Sequence, residues 1–144
     1  MKIISHRGNL YGKDLNVENK PSQIDRVIEK GYDVEIDLRY EDRELYLGHD
    51  HPEYKISYDW LNERKNKLWI HAKDHDCISF LKKTNFNWFW HDKDDMTLTS
   101  HGYIWSNVGI FIESGITVTL ELSEIPDYIL GICTDEPIRF QNNG

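Results

Sequence analysis

Cysteine is nearly absent from this chain of 144 residues. Cys77 and Cys133 stand far apart, form no Cys-x-x-Cys pair, and are expected as reduced thiols rather than as a disulfide framework. No apolar run approaches the ~20 residues that a membrane span requires, so no stable membrane association is expected. The opening Met1-Lys2-Ile3-Ile4-Ser5-His6 turns polar too soon for a signal peptide, and a cytoplasmic location is the expectation. Positive charge is also short: the formal net charge is −8. That balance disfavours a broad nucleic-acid or anionic-membrane surface, which needs many Lys and Arg against phosphates. A small anionic ligand requires only a local cationic cluster. Internal repeats, low-complexity segments and linkers are missing as well, and the length suits a single domain over residues 1–144.

Core material is present. Hydrophobic residues make up 39% and aromatics 12% of the chain, enough to argue against disorder. Short β-rich runs recur at Lys2–Ile4, Asp33–Leu38, Glu44–Leu47, Lys67–Ile70, Asn87–Trp90, Tyr103–Trp105, Thr117–Leu122 and Tyr128–Ile132. Between the first two, Ile24, Val27 and Ile28 recur at helical spacing, with Pro21 at the start and Gly31 at the stop. Tyr58–Arg64 and Asp76–Lys83 read as two further helices, and helical signals nearly vanish after about residue 90. Strand and helix alternation with eight strands points to a compact TIM-type (β/α)8 barrel that has lost several outer helices, especially in its second half. An open α/β sheet with fewer strands is the alternative. A barrel stripped of helices would bare apolar strand faces, which makes a homo-oligomer an expectation.

Five histidines, His6, His49, His51, His71 and His91, fall at or just beyond strand ends. In Asp33-Val34-Glu35-Ile36-Asp37-Leu38 the acids at 35 and 37 share one face of a strand. Facing inward they need a cation, and as hard oxygen ligands they suit Mg²⁺ or Ca²⁺; facing water on an edge strand they need nothing. His6-Arg7-Gly8 joins a proton-transferring imidazole to a guanidinium that can grip phosphate, and Gly48-His49-Asp50 offers a second imidazole. His91 and Asp92 end another strand without an assigned role. The tryptophans, including Trp69, Trp88, Trp90 and Trp105, read as filling of the interior.

His6-Arg7-Gly8, then Glu18-Asn19 before a helix, then Gly31 with Glu35-Ile36-Asp37, then His49-Asp50, resembles the glycerophosphodiester phosphodiesterase family in order and spacing over residues 3–51. Farther on, His71-Ala72-Lys73 stands where the family carries Glu and, two residues later, Lys, and Thr134-Asp135-Glu136-Pro137 resembles its last strand ending. The resemblance implies a phosphoric diester hydrolase acting on a small phosphodiester, with His6 and His49 as general acid and base and Arg7 and Lys73 on the phosphate. It also implies a divalent metal on Glu35 and Asp37, with His71 as the third ligand, and a substrate hydroxyl as nucleophile giving a cyclic phosphate. Imidazole in place of the family's third acid shifts ion preference toward Mn²⁺ or Zn²⁺; His71 can also face the phosphate or fill the core. Two rival readings stay open: a phosphate-binding module without turnover, and a metal-independent nuclease built on His6, His49 and Lys73.

Overall fold

The computed structural model of the protein describes residues 1–120 and 124–140. Its strands are β1 (Lys2–His6), β2 (Asp33–Glu41), β3 (Glu44–Leu47), β4 (Tyr54–Ile56), β5 (Leu68–Ala72), β6 (Trp88–Phe89), β7 (Met96–Leu98), β8 (Ile104–Ser106), β9 (Ile116–Val118) and β10 (Gly131–Thr134). The helices are α1 (Pro21–Glu29), α2 (Tyr58–Arg64) and α3 (His75–Leu81). Each begins where local chemistry favours it. Proline opens α1, while Ser57 and Asp74 accept the backbone N–H groups of Trp60 and Cys77 as N-caps of α2 and α3. Gly31, at φ +95°, lets the chain leave α1 through the left-handed region.

All ten strands belong to one curled, mixed sheet. Seven run parallel in the order β6-β5-β2-β1-β10-β9-β8. The carboxyl half of β2 continues into an antiparallel meander with β3 and β4, and β7 is antiparallel to β8. This corrects the expectation of a (β/α)8 barrel. The three short helices all lie before residue 82, and irregular connections carry the chain from β6 onward among the described residues. The molecule is mostly strand, a mixed half-barrel rather than a ring of alternating strands and helices. The aromatic and β-branched residues after residue 86 build strands, but no amphipathic 3.6-residue stripe follows them to make covering helices.

Element positions differ from expectation in three places. β4 and β7 are three-residue strands too brief to stand out in the sequence. The last strand begins at Gly131 rather than Tyr128, because Gly131 packs so closely against the backbone of Lys2 that a Cβ at this position would meet the Lys2 oxygen at 2.5 Å. Of the expected strand Thr117–Leu122, only the start is strand, and residues 121 and 122 lie outside the described residues.

The two faces of β2 separate the core into layers. Val34, Ile36 and Leu38 are fully buried beneath Ile24 and Val27 of α1, Leu61 of α2 and Cys77 and Leu81 of α3. On the inner face of the curl, Ile4, Trp69, Phe89, Trp105, Ile116 and Cys133 form a second cluster. Phe89 of β6 stacks on Trp105 of β8 with ring centroids 4.7 Å apart, although no ladder joins these strands among the described residues. The ends of the curl meet there through this ring pair and through the Ser100 backbone N–H, which donates to the Trp88 carbonyl oxygen at 2.7 Å. Such ring pairs contribute about 0.5–1.5 kcal/mol beyond their buried area.

Candidate functional site

β2 is a central strand, paired with β1 on one side and β5 on the other. Its acids therefore cannot reach water as they would on an edge: Glu35 is 3% and Asp37 0% exposed. The parallel registers set His6 beside Glu35 and His71 beside Asp37. His71 Nδ1 lies 3.6 Å from Glu35 Oε2 and 3.5 Å from Asp37 Oδ1. Those separations are too long for strong hydrogen bonds. Glu35 Oε1 and Asp37 Oδ1 are buried and have no hydrogen-bond partner. Asp37 Oδ2 accepts a 2.9 Å bond from Asn19 Nδ2, and the Asp37 backbone N–H donates to Asn19 Oδ1 at 3.0 Å.

Two carboxylates enclosed together divide their charge unequally. Burial acts to raise Glu35, but the contact with His71 and the charges of His6, His71 and Arg7 outweigh it and hold the group at about 2. Burial and then the Glu35 charge push Asp37 upward. The two orphaned oxygens are free to accept a bond from a cation. One donor atom from each of Glu35, Asp37 and His71 lies within 4.8 Å of the others, so these residues fit the divalent ion that the family resemblance implies.

Arg7 follows β1 at φ +59° and folds its guanidinium back over the acids. Its Nε lies 3.3 Å from Asp37 Oδ2, and its Nη1 donates to Glu18 Oε1 at 3.3 Å. Its backbone is clamped on both sides: its N–H donates to the Glu35 oxygen, and its C=O accepts from the Asn19 N–H. Burial works against the charged guanidinium, but Asp37, Glu35 and Glu18 raise its pKa above the usual value.

His6, at the end of β1, is held by the far end of the chain. Its Nδ1 lies 2.7 Å from Asp135 Oδ1, one residue beyond β10. A carboxylate only accepts, so Nδ1 carries the hydrogen and Nε2 is the nitrogen left to exchange protons. Asn9 Nδ2 donates to Asp135 Oδ1 and Glu18 Oε2, both at 2.9 Å, and completes the buried chain Arg7-Glu18-Asn9-Asp135-His6.

Burial acts to lower the His6 pKa, and the bond to Asp135 with the Glu35 charge overcomes it and raises the group. The folded protein therefore holds this proton more tightly than the unfolded chain. The resulting stability is full below about 6.5, the unfolded value, and is lost as pH rises through the raised folded value. Urea unfolding from about pH 5 to about pH 9 is expected to show that loss, and Asp135→Asn to flatten it.

The remaining expected residues are placed less centrally. His49 ends the β3 turn with its side chain 38% exposed and Nδ1 2.8 Å from Asp50 Oδ1. Arg39 holds its loop by donating from Nε to Gly48 O at 3.0 Å and from Nη2 to His49 O at 2.6 Å. A Cβ on Gly48 would land on the His51 carbonyl oxygen, so this turn requires glycine. His49 and Arg7 line one cleft of about 390 Å³ together with Lys13, Glu18 and Asn19. Lys73 follows β5 in phase with His71, but its ammonium makes no ion pair among the described residues. The structure thus brings together His6, Arg7, Glu35, Asp37 and His71, sets His49 at the rim, and carries Lys73 just beyond β5, two residues from His71.

Asn9, Asn19 and Asp135 are site residues to which the sequence alone assigns no role. Asp135 has a signal in the Thr-Asp ending before Pro137, and Glu18-Asn19 in their place before α1; Asn9 has none. No helix among the described residues is long and apolar enough to cross a membrane. Compared with models of protein families, with curated proteins and with solved structures, the chain matches none of them.

Proposed function

We propose that the chain is a metal-assisted phosphodiesterase that cleaves a small, glycerophosphodiester-like substrate, as its resemblance to the glycerophosphodiester phosphodiesterase family implies. The observation that carries this reading is the meeting, at the carboxyl ends of β1 and β5 and the middle of β2, of an oriented imidazole, a half-buried guanidinium and a carboxylate pair with orphaned oxygens. Active sites on parallel strands are built at such ends.

His6, its Nδ1 engaged by Asp135, exchanges a proton through Nε2 with the attacking or leaving oxygen. Arg7 grips the phosphate with the N–H groups not taken by Glu18, and its backbone clamp keeps the fork in place. His49 faces the same cleft as Arg7 and, with Asp50 on Nδ1, serves as the second proton carrier. Lys73, just beyond β5 and in phase with His71, supplies a second positive charge to balance the phosphate. Bound by Glu35, Asp37 and His71, a divalent ion supplies stabilisation of charge developing on the phosphate oxygens.

The test is hydrolysis of glycerophosphodiesters and of bis(4-nitrophenyl) phosphate. His49→Ala is expected to lower kcat by about 10²-fold, and chelator to abolish turnover. Activity indifferent to both would overturn the mechanism. Calorimetric binding of a phosphodiester with no product over hours would replace it by a binding module, and cleavage of RNA in chelator by a nuclease.

A further inference from the structure

We infer that the Glu35, Asp37 and His71 site selects a first-row transition ion, Zn²⁺ ahead of Mn²⁺, over Mg²⁺ and Ca²⁺. The inference rests on the same site as the proposed activity, and it concerns the ion alone.

His71 Nε2 lies 3.1 Å from the backbone oxygen of His91. A carbonyl oxygen can only accept, so Nε2 carries the hydrogen, and in the neutral ring Nδ1 presents a lone pair. In that form Nδ1 lies 3.5 Å from Asp37 Oδ1 and 3.6 Å from Glu35 Oε2. Three electron-pair donors brought together in a buried space need a positive charge among them, which either a proton on Nδ1 or a metal ion supplies. A backbone carbonyl on the outer nitrogen is also what orients a ligating imidazole and fixes its tautomer. The ring cannot easily turn away, because it stacks on Phe89 with centroids 4.8 Å apart and planes 21° from parallel.

Spacing argues against Mg²⁺, and the softer imidazole donor argues against Ca²⁺. Donors about 2.0–2.2 Å from an ion at a tetrahedral angle lie about 3.4 Å apart. In a Mg²⁺ octahedron at about 2.0–2.1 Å, neighbouring donors lie about 2.9 Å apart. The separations of 3.5 and 3.6 Å exceed the Mg²⁺ spacing and suit either the first arrangement or the longer bonds of Ca²⁺, about 2.3–2.6 Å. Ca²⁺ takes about 6–8 oxygens, and a nitrogen among three protein donors suits it poorly. Imidazole suits Zn²⁺ and Mn²⁺, and divalent affinity at such mixed sites rises from Mn²⁺ toward Zn²⁺.

The full chain, stripped by chelator and dialysed, is titrated calorimetrically with ZnCl₂, MnCl₂, MgCl₂ and CaCl₂ in separate runs. Zn²⁺ is expected to bind at least ~100-fold more tightly than Mg²⁺ or Ca²⁺, with Mn²⁺ between. His71→Glu, which makes the donors all oxygen, is expected to narrow that ratio by about 10-fold or more. In the wild-type protein, ¹⁵N spectra of histidine-labelled chain are expected to show the His71 Nδ1 resonance shifting as Zn²⁺ is added, a readout that holds if the variant does not fold. Mg²⁺ or Ca²⁺ binding as tightly as Zn²⁺, an unmoved Nδ1 resonance at saturation, or no ion bound at all would overturn the inference. Binding in the expected order without diester hydrolysis retains it and removes the proposed activity. Hydrolysis supported by tightly held Mg²⁺, with Zn²⁺ bound no better, does the reverse.

Discussion

Replacing His6 by Asn is expected to lower kcat for phosphodiester hydrolysis by roughly 10²–10⁴-fold, with KM nearly unchanged. The substitution separates two jobs that one ring performs. The amide of Asn reaches about as far as Nδ1 of His and can still donate to Asp135 Oδ1, so the buried chain through Asn9 to Glu18 and Arg7 keeps its donors. What disappears is Nε2, the nitrogen proposed to exchange a proton with substrate. Removing a group used only at the transition state lowers kcat and leaves ground-state binding alone. Steady-state kinetics at saturating ion, beside urea unfolding of the same variant, checks the expectation. A fall of less than about tenfold in a folded variant would mean that His6 carries no proton in the rate-limiting step.

The second large effect is on stability. Arg7→Met is expected to destabilise the ion-free protein by about 3–5 kcal/mol, the cost of leaving buried charge without its partner. Glu18, Glu35 and Asp37 are 6%, 3% and 0% exposed, and Arg7 stands against two of them directly. Methionine fills much of the same volume, and both residues carry a Cβ, so the positive φ at this position penalises them alike. The loss therefore reports charge rather than shape. Urea unfolding in chelator measures it, and addition of a divalent ion is expected to recover part of it, because an ion bound only to the folded state replaces the missing positive charge. A cost under about 1 kcal/mol would show that the enclosed acids hold protons instead of relying on the guanidinium.

These effects trace back to features of unequal legibility. That Glu35 and Asp37 share a face follows from strand period alone. Whether that face is dry does not, because it depends on β1 and β5 pairing on both sides and on α1, α2 and α3 covering the other face. Asn19 shows the limit more sharply. It serves Asp37 from a loop position at φ +61°, and only the folded path of residues 7–20 carries it under β2. Asp135 meets His6 through a parallel pairing of β1 with β10, a contact that no local pattern encodes. The half-barrel reads as a (β/α)8 barrel in the sequence for a related reason. Counting strands registers neither the antiparallel meander β2-β3-β4 nor the lack, among the described residues, of crossover α-helices after β6.

The uneven helix cover has a consequence for how the protein comes into being. Residues 2–81 contain all three helices, the strands β1, β2 and β5, and every donor of the Glu35, Asp37 and His71 trio. Contacts near in sequence form early, whereas closing His6 onto Asp135 spans 129 positions and carries a larger loop-closure cost. During synthesis the half that carries Glu35, Asp37 and His71 can therefore assemble while the last strand is still unmade. The imidazole acquires its orientation only when β10 arrives beside β1. On the proposed activity, a chain without β10 would gather the acids and His71 but leave His6 unoriented, and turnover would wait for the last strand.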